Sequence, residues 1–181
     1  MTLSNPLPPF NNQGLLPEGV YDCSEALFKQ RFVDAFPASG TRAARYRGFT
    51  ALRQEAVRQG GQPARQWVNG SYVTTKLDPG DIDVVTFMDY DGFNALSEEH
   101  RTAVTGLLAG EEATKPTYGY HTFFVPSCGQ GHPFFPAFEQ QRVYWRKWFG
   151  ETRSGGRKGF LAMALGDERR APVVPAERDG E

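Results

Sequence analysis

The sequence predicts a domain of the α/β or α+β class, in which helices flank a small mixed β-sheet. Four short apolar stretches have the length of strands, and segments with apolar residues at helical spacing lie between them. With 181 residues, of which 39% are hydrophobic and 13% aromatic, the chain has enough apolar side chains for one real core. We expect strands near residues 66–69, 82–88, 120–126 and 160–165.

Helix boundaries follow from capping and breaking residues. Ser24 and Ser97 are suitable N-caps, and Pro37 and Gly60 are stop signals. We expect helices over residues 24–36, 41–59, 97–108 and 138–149, and a short helix over 71–75. The arginines of the second helix are expected on a solvated face, with a phosphate or nucleic-acid contact as the alternative. The aromatic residues of the last helix are expected mainly in the core.

Composition places the domain boundaries near residues 21 and 166. Residues 1–20 contain four prolines and two glycines, which predicts an extended N-terminal arm. Residues 167–181 are charged and contain proline, which predicts a disordered tail after a single domain at 21–166. The start has no signal-peptide pattern, and no apolar run approaches the roughly 20 residues of a membrane span. We therefore expect a cytoplasmic protein with no membrane partner.

The net charge is only −1, but the charges are unevenly distributed. Residues 29–65 carry eight Lys or Arg and two Asp or Glu, whereas residues 78–112 carry nine acidic residues and one arginine. Residues 139–170 are basic again, with eight against four. An acidic centre between basic segments fits a metal site with phosphate-binding surroundings, and three separate solvated surfaces are the alternative. The two cysteines form neither a disulfide framework nor a zinc site.

The central pattern is Val-Asn-Gly-Ser at residues 68–71, followed by Asp-Ile-Asp-Val at residues 81–84. Because residues i and i+2 of a strand share one face, Asp81 and Asp83 are expected to project together from a strand start. Two adjacent carboxylates repel unless a cation lies between them, and Mg²⁺ accepts carboxylate oxygens together with water and substrate phosphates. Gly70-Ser71 after a strand permits a phosphate to approach backbone N–H groups and a hydroxyl. The pattern predicts a divalent-metal and nucleotide-phosphate site.

Each of these residues also has a simpler explanation. Asp81 follows a turn sequence that would accept aspartate in any case. Asp83 lies inside an apolar strand, where an unpaired carboxylate is costly, so a metal or a basic residue such as Lys76 or Arg157 must compensate it.

Other candidate phosphate ligands flank this pattern. Thr74 and Lys76 follow the Gly-Ser turn, and Lys158 precedes the last strand. All three are candidates for contacting a nucleotide, and solvated loop positions are the alternative.

These residues resemble the signature of polymerase-β-like nucleotidyltransferases. That signature is a hydrophobic residue, Gly-Ser or Gly-Gly, a gap of about nine to thirteen residues, and then Asp-hydrophobic-Asp/Glu-hydrophobic; here the gap is nine residues. The resemblance covers residues 66–126, about a third of the chain. The wider layout is similar to that of short bacterial proteins with a minimal core of this kind, through Leu-Pro-Glu-Gly at 16–19, Phe-Phe-Val-Pro at 123–126, Tyr-Trp at 144–145 and Lys-Gly at 158–159.

The resemblance implies a mechanism and a set of ligands. Asp81 and Asp83 would hold Mg²⁺ or Mn²⁺, and Gly70 and Ser71 would hold the β- and γ-phosphates of a nucleoside triphosphate such as ATP. Pyrophosphate would be displaced and the nucleotidyl group transferred to a protein or RNA acceptor.

The sequence departs from the signature at the third carboxylate, which should lie on the next strand. His121 occupies that position, either as a further metal ligand or as a structural residue. Glu139, Asp89 and Asp91 are the acidic residues that would replace the missing carboxylate if the geometry permits.

Three functions are therefore expected from the sequence. The first is a nucleotidyltransferase in a toxin–antitoxin or phage-defence system, with an antitoxin or another protein as partner. The second is a catalytically degenerate nucleotidyltransferase fold that acts as a protein- or nucleic-acid-binding module. The third is an RNA-binding module that uses the basic segments 42–65 and 142–158.

Overall fold

A five-stranded mixed sheet forms the centre of the protein, for which the computed structural model describes residues 7–109 and 119–165. The strands are β1 (Gly19–Asp22), β2 (Pro63–Asn69), β3 (Ile82–Asp89), β4 (Tyr120–Ser127) and β5 (Gly159–Ala164). Their order is β1-β5-β2-β3-β4. β1 is parallel to β5 and β3 to β4, whereas β2 is antiparallel to both of its neighbours. The predicted fold class, a small mixed sheet with flanking helices, is confirmed.

The helices agree in position with the sequence pattern at most places. They are α1 (Glu25–Lys29), which continues as a π-helical turn (Gln30–Asp34), α2 (Arg42–Arg58), α3 (Tyr90–Asn94), α4 (Glu98–Leu108) and α5 (Phe135–Gly150). Ser24 and Ser97 are N-caps, because their hydroxyls accept backbone N–H groups at 3.2 Å. α3 was not among the helices expected from the sequence.

Both faces of the sheet are covered by helices. Alternate residues of each strand point to opposite faces. On one face Val68, Val84 and Leu161 pack against residues of α1, α2 and α4. On the other face Trp67 and Val85 pack against residues of α5. This double coverage explains why the strands are apolar along most of their length.

The described part of the N-terminal arm lies against the domain. Leu16 is buried, and its carbonyl accepts the N–H of Gly159 at 2.9 Å. The carbonyl of Gly14 accepts the N–H of Thr75 at the same distance. β1 begins within the segment expected to be the arm, and it was missed because four residues after a proline show no detectable alternation. Residues 1–6 and the expected tail at 167–181 lie outside the described residues.

The aromatic residues of α5 are divided between core and surface. Phe149 is buried and Trp145 packs partly against the same cluster. Tyr144 and Trp148 are instead 56% and 48% exposed. The expectation of core positions is therefore wrong for these two residues. In the described residues no helix has both the length and the apolar character needed to cross a membrane.

Arg42 was expected on a solvated face, and this prediction is wrong because the residue is fully buried. Its guanidinium lies 3.8 Å from the ring centroid of Phe36. It donates hydrogen bonds to five backbone carbonyls, those of Phe32, Tyr72, Thr74, Lys76 and Leu77. A buried cation is tolerated when its donors are satisfied in this way. Four of these carbonyls belong to the connection between β2 and β3, which Arg42 therefore holds in one conformation.

We expect Arg42→Met to lower the free energy of unfolding by about 3 kcal/mol or more, because it leaves buried carbonyls without donors. Arg47→Met, at an exposed position of the same helix, should change it by less than about 0.5 kcal/mol. Urea denaturation of the two variants measures both effects. Equal stability of the variants would contradict the role given to Arg42.

Candidate nucleotide- and metal-binding site

Three polar residues meet at one end of the sheet. In the strand register, Asp83 of β3 lies opposite Asn69 of β2 on one side and opposite His121 of β4 on the other. On each strand these residues alternate in phase with Trp67, Val85 and Phe123, so they lie on the face of the sheet that is covered by α5. Asn69 donates from Nδ2 to the carbonyl of Phe149 at 2.8 Å, which brings the C-terminal end of α5 to the same place. The candidate site therefore lies where β2 ends and β3 and β4 begin.

The two halves of the sequence motif are in contact at this end. Gly70 follows β2 and has φ +82° and ψ −168°, a conformation that is essentially limited to glycine. A Cβ atom at this position would overlap the carboxylate of Asp83. The predicted short helix at 71–75 is a single 3₁₀ turn, Ser71–Val73. The Gly-Ser turn therefore lies against Asp83, the second aspartate of the motif.

Asp83 is a poorly solvated anion with several charged neighbours. Its side chain is only 21% exposed, and Nδ1 of His121 lies 3.5 Å from Oδ1 of Asp83. Burial raises the pKa of Asp83, and the charge of Asp81 raises it further, while His121 and Lys158 lower it. The two raising effects are larger, so the carboxylate is ionised less readily in the folded protein than an aspartate in water.

Lys158 is the basic neighbour of Asp83. Burial lowers the pKa of Lys158, whereas the charge of Asp83 acts in the opposite direction. The sequence suggested Lys76 or Arg157 for this place. Arg157 instead points to Glu18 and Glu151, at 3.7 and 4.0 Å. Lys158 was predicted as a nucleotide ligand, and its position beside Asp83 is consistent with that role.

The other predicted nucleotide ligands are Thr74 and Lys76, and both make hydrogen bonds within the loop that follows Ser71. The hydroxyl of Thr74 donates to the carbonyl of Ser71 at 2.8 Å and accepts the N–H of Lys76 at 3.1 Å. The carbonyl of Lys76 accepts a hydrogen bond from Arg42, while its side chain is exposed. These contacts shape the turn after Ser71, and a nucleotide contact by either residue stays a prediction.

None of the three acidic residues considered as a third carboxylate has a described contact with Asp83. The carboxylate of Glu139 accepts two hydrogen bonds from the guanidinium of Arg142, at 2.6 and 2.7 Å. Asp89 is at the other end of β3, six residues and about 20 Å from Asp83. It caps α3 by accepting the N–H of Gly92 at 2.8 Å.

Asp91 lies beside His132, with its Oδ1 3.4 Å from Nε2 of the imidazole. It follows Asp89 at the far end of β3, away from Asp83. Among the described residues, His121 is therefore the side chain at the expected third position.

The donor set fits a Mg²⁺ ion that is shared with a substrate. Within residues 7–109 and 119–165 there is no group of three or more His, Cys, Asp or Glu side chains placed to hold a metal. Two carboxylates with water and substrate phosphates are, however, the usual surroundings of Mg²⁺. Asn69 is buried, and its Oδ1 has no hydrogen-bond partner in the described part of the chain. This oxygen is available as a further hydrogen-bond acceptor or hard ligand next to Asp83 in the strand register.

Asn69 is not recognisable in the sequence as a candidate site residue, because there it only separates Val68 from Gly70. Asn69 becomes a candidate only in the structure, where its side chain is buried and its Oδ1 has no hydrogen-bond partner among the described residues. Burial of this kind depends on the position of α5, which the motif does not report.

The fold is that of an α/β protein in which polar and charged side chains meet at one end of a mixed sheet. The chain belongs to DUF6932, a family of unknown function that matches residues 8–164. Comparison with curated proteins and with solved structures gave no match. The family description names no activity.

Gly70→Ala should lower the free energy of unfolding by about 1–3 kcal/mol, because the backbone conformation is strained for alanine and its Cβ overlaps the Asp83 carboxylate. Gly80→Ala is the matched control at the other end of the loop, where no heavy atom lies within 4 Å of the added methyl group. Chemical denaturation should find this control unchanged or slightly stabilised. A tolerated Gly70→Ala would argue against the contact between the two halves of the motif.

In metal-free protein, Asp83→Asn should raise the melting temperature at neutral pH, because it removes a buried anion and its repulsion with Asp81. Since the pKa of Asp83 is raised on folding, the native state holds the proton more tightly, and the wild type loses stability as the pH rises. His121 and Lys158 face the same carboxylate and reduce the effect without reversing it. Thermal unfolding in chelator across acidic to neutral pH should show the gap closing at low pH. Asp91→Asn, with a side chain 77% exposed, should show no such gap.

Proposed function

We propose that this protein binds a nucleoside triphosphate together with Mg²⁺ through Asp81 and Asp83, and transfers a nucleotidyl group to an acceptor. The observation that carries the proposal is the contact between Gly70 and the carboxylate of Asp83. This contact puts the Gly-Ser turn, which we propose as the phosphate-binding element, beside the two carboxylates at adjoining strand ends. The resemblance of the same residues to the nucleotidyltransferase signature supports this function, and the setting in a toxin–antitoxin or phage-defence system stays a prediction.

The electrostatics of the site favour a cationic ligand complex. Asp83 is partly buried beside a second carboxylate, so a cation bound between them would relieve repulsion and stabilise the ionised form. Lys158 supplies one positive charge from the side of β5, close enough to influence Asp83. A triphosphate carries more negative charge than Lys158 alone would neutralise. These features support binding of the nucleotide as its magnesium complex.

The residues of the chain have distinct roles in the proposed reaction. Asp81 and Asp83 would hold Mg²⁺, which when bound neutralises phosphate charge and lowers the pKa of an attacking hydroxyl. Gly70 and Ser71 bring backbone close to the terminal phosphates. His121 takes the position of the third carboxylate, and its imidazole is suited to accept the proton of the attacking hydroxyl.

A second candidate function is a non-catalytic member that retains the fold and the nucleotide. The observation that favours it is the absence of a third carboxylate beside Asp83 among the described residues. Such a protein would act by binding a protein or a nucleic acid. It predicts nucleotide binding without turnover, which separates it from the transferase.

Isothermal titration with ATP and Mg²⁺ tests the binding site. Asp83→Ala should weaken binding by about tenfold or more, because it removes a ligand of the shared cation. Asp91→Ala, an exposed aspartate at the far end of β3, is the matched control and should bind like the wild type. If Asp83→Ala also binds like the wild type, the site assignment is wrong.

Release of pyrophosphate in the presence of cell extract tests turnover. The transferase predicts release that is lost in the double variant Asp81→Ala/Asp83→Ala. His121→Ala should retain ATP binding but lose most of the release if the imidazole accepts the proton. Binding without release in the wild type would favour the non-catalytic candidate, and release that survives in the double variant would place the chemistry elsewhere.

A further inference from the structure

An exposed tryptophan lies beside the candidate site, at the C-terminal end of α5. Trp148 is 48% exposed. The carbonyl of the next residue, Phe149, accepts the hydrogen bond from Nδ2 of Asn69 at 2.8 Å. Asn69 in turn is paired with Asp83 in the strand register. The backbone of Trp148 is therefore one residue away from a group that is bonded to this end of the sheet.

The ring of Trp148 lies on the β4 side of the site. Its centroid is 5.9 Å from that of Phe123, and the two rings are inclined at 77°. Phe123 follows His121 by two residues, so both side chains lie on the same face of β4, with their ring centroids 6.4 Å apart. Phe123 thus links Trp148 to the imidazole that lies 3.5 Å from Asp83.

Other aromatic side chains hold Trp148 in place. Trp145 lies one turn earlier in α5, with its ring centroid 5.5 Å from that of Trp148 and 4.3 Å from that of Phe123. The ring of Phe149 lies 5.6 Å from Trp148. Because these contacts restrict the indole before any ligand binds, a ligand that stacks on its exposed surface loses little affinity to ordering it.

The two sides of Asp83 differ in chemistry in a way that matches the two ends of a nucleotide. On the side of β2 and β5, Gly70 lies against the carboxylate, and Lys158 is close enough to lower the pKa of Asp83. These are surroundings for phosphates. On the opposite side, β4 carries Phe123 with Trp148 packed on it. An exposed aromatic surface of this kind suits a flat, largely apolar base.

We propose that Trp148 is the stacking surface for the base of the nucleotide bound at the Asp81–Asp83 site. This inference rests on the proposed function and deepens it, because it assigns the base to a residue far outside the sequence motif. Every base has a π-face, and an aromatic ring offers no pattern of hydrogen bonds to distinguish one base from another. Trp148 should therefore recognise that a base is present and discriminate little between bases.

Isothermal titration with ATP and with inorganic tripolyphosphate, each in the presence of Mg²⁺, tests the inference. The two ligands share a triphosphate chain, and only ATP carries a base. Trp148→Ala should weaken binding of ATP by about fivefold or more, as expected for the loss of one base–aromatic stack. It should leave binding of tripolyphosphate unchanged, which also shows that the variant is folded. Trp148→Phe should retain most of the affinity for ATP, because a phenyl ring also presents a π-face.

Tyr144→Ala is the matched control. Tyr144 is an aromatic residue of the same helix, is 56% exposed, and lies one turn farther from the end of α5 that contacts Asn69. This variant should bind both ligands like the wild type.

Tryptophan fluorescence gives a second readout of the same contact. The chain has three tryptophans, of which Trp67 is buried and Trp145 is partly buried. Addition of ATP and Mg²⁺ should change the emission of the wild type, and Trp148→Phe should lose most of that change. A change that persists in full in Trp148→Phe would place the base elsewhere.

Three results of the titrations would overturn the inference. Trp148→Ala that binds ATP like the wild type would remove the base from Trp148 and leave the metal–phosphate site in place. Equal losses of ATP and tripolyphosphate would show that the indole supports the site and does not stack on a base. An equal loss of ATP binding in Tyr144→Ala would show that the effect is not specific to Trp148.

Asp83→Ala separates the inference from the proposed function. It removes a ligand of the cation, so it should weaken binding of ATP and of tripolyphosphate alike, whereas Trp148→Ala should weaken binding of ATP alone. Wild-type protein that binds neither ligand with Mg²⁺ would overturn the proposed function together with the inference.

Discussion

The buried guanidinium of Arg42 is the interaction on which the candidate site depends. It fixes the nine residues between Ser71 and Asp81 by bonding to four carbonyls of that loop and to the carbonyl of Phe32 in the helical layer. Ordering a residue costs about 1–2 kcal/mol of backbone entropy, and a hydrogen bond from a charged donor contributes about 1.5–3 kcal/mol. The four bonds to the loop are of the size needed to offset a large part of this cost. They fix residues 72–77, and the pairing of Asn69 with Asp83 holds the two ends of the loop together.

At the end of this loop the negative charge of Asp83 is only partly compensated by neighbouring positive charge. Asp83 is held against the backbone of Gly70 and beside Asp81, with only partial compensation from Lys158 and His121. The repulsion between Asp81 and Asp83 lowers the stability of the folded protein. A cation bound between them would remove this repulsion and so raise that stability, which favours a ligand complex that includes a cation. The incomplete compensation of Asp83 by His121 and Lys158 is the feature that supports the proposed cation site.

The sequence predicted the elements whose signals are local. The capped helices and the apolar strands β3 and β4 follow from periodicity, and the meeting of Gly70 with Asp83 follows from the motif. The partner of Asp83 was not predictable, because Lys158 approaches it only through the strand order β5-β2-β3. Arg42 was expected on the surface because an arginine on a helix with few apolar residues gives no sign of burial. Exposure of Trp148 likewise depends on the angle at which α5 lies on the sheet.

A crystal structure with Mn²⁺ and a non-hydrolysable ATP analogue tests the central claim most directly. The account predicts an anomalous Mn²⁺ signal between the carboxylates of Asp81 and Asp83, with the triphosphate against Gly70 and Ser71. It also predicts that Lys158 contacts a phosphate oxygen once the cation has taken its place beside Asp83. A nucleotide bound away from this end of the sheet, or Mn²⁺ bound by other residues while Asp83 keeps only Lys158 and His121, would contradict the account.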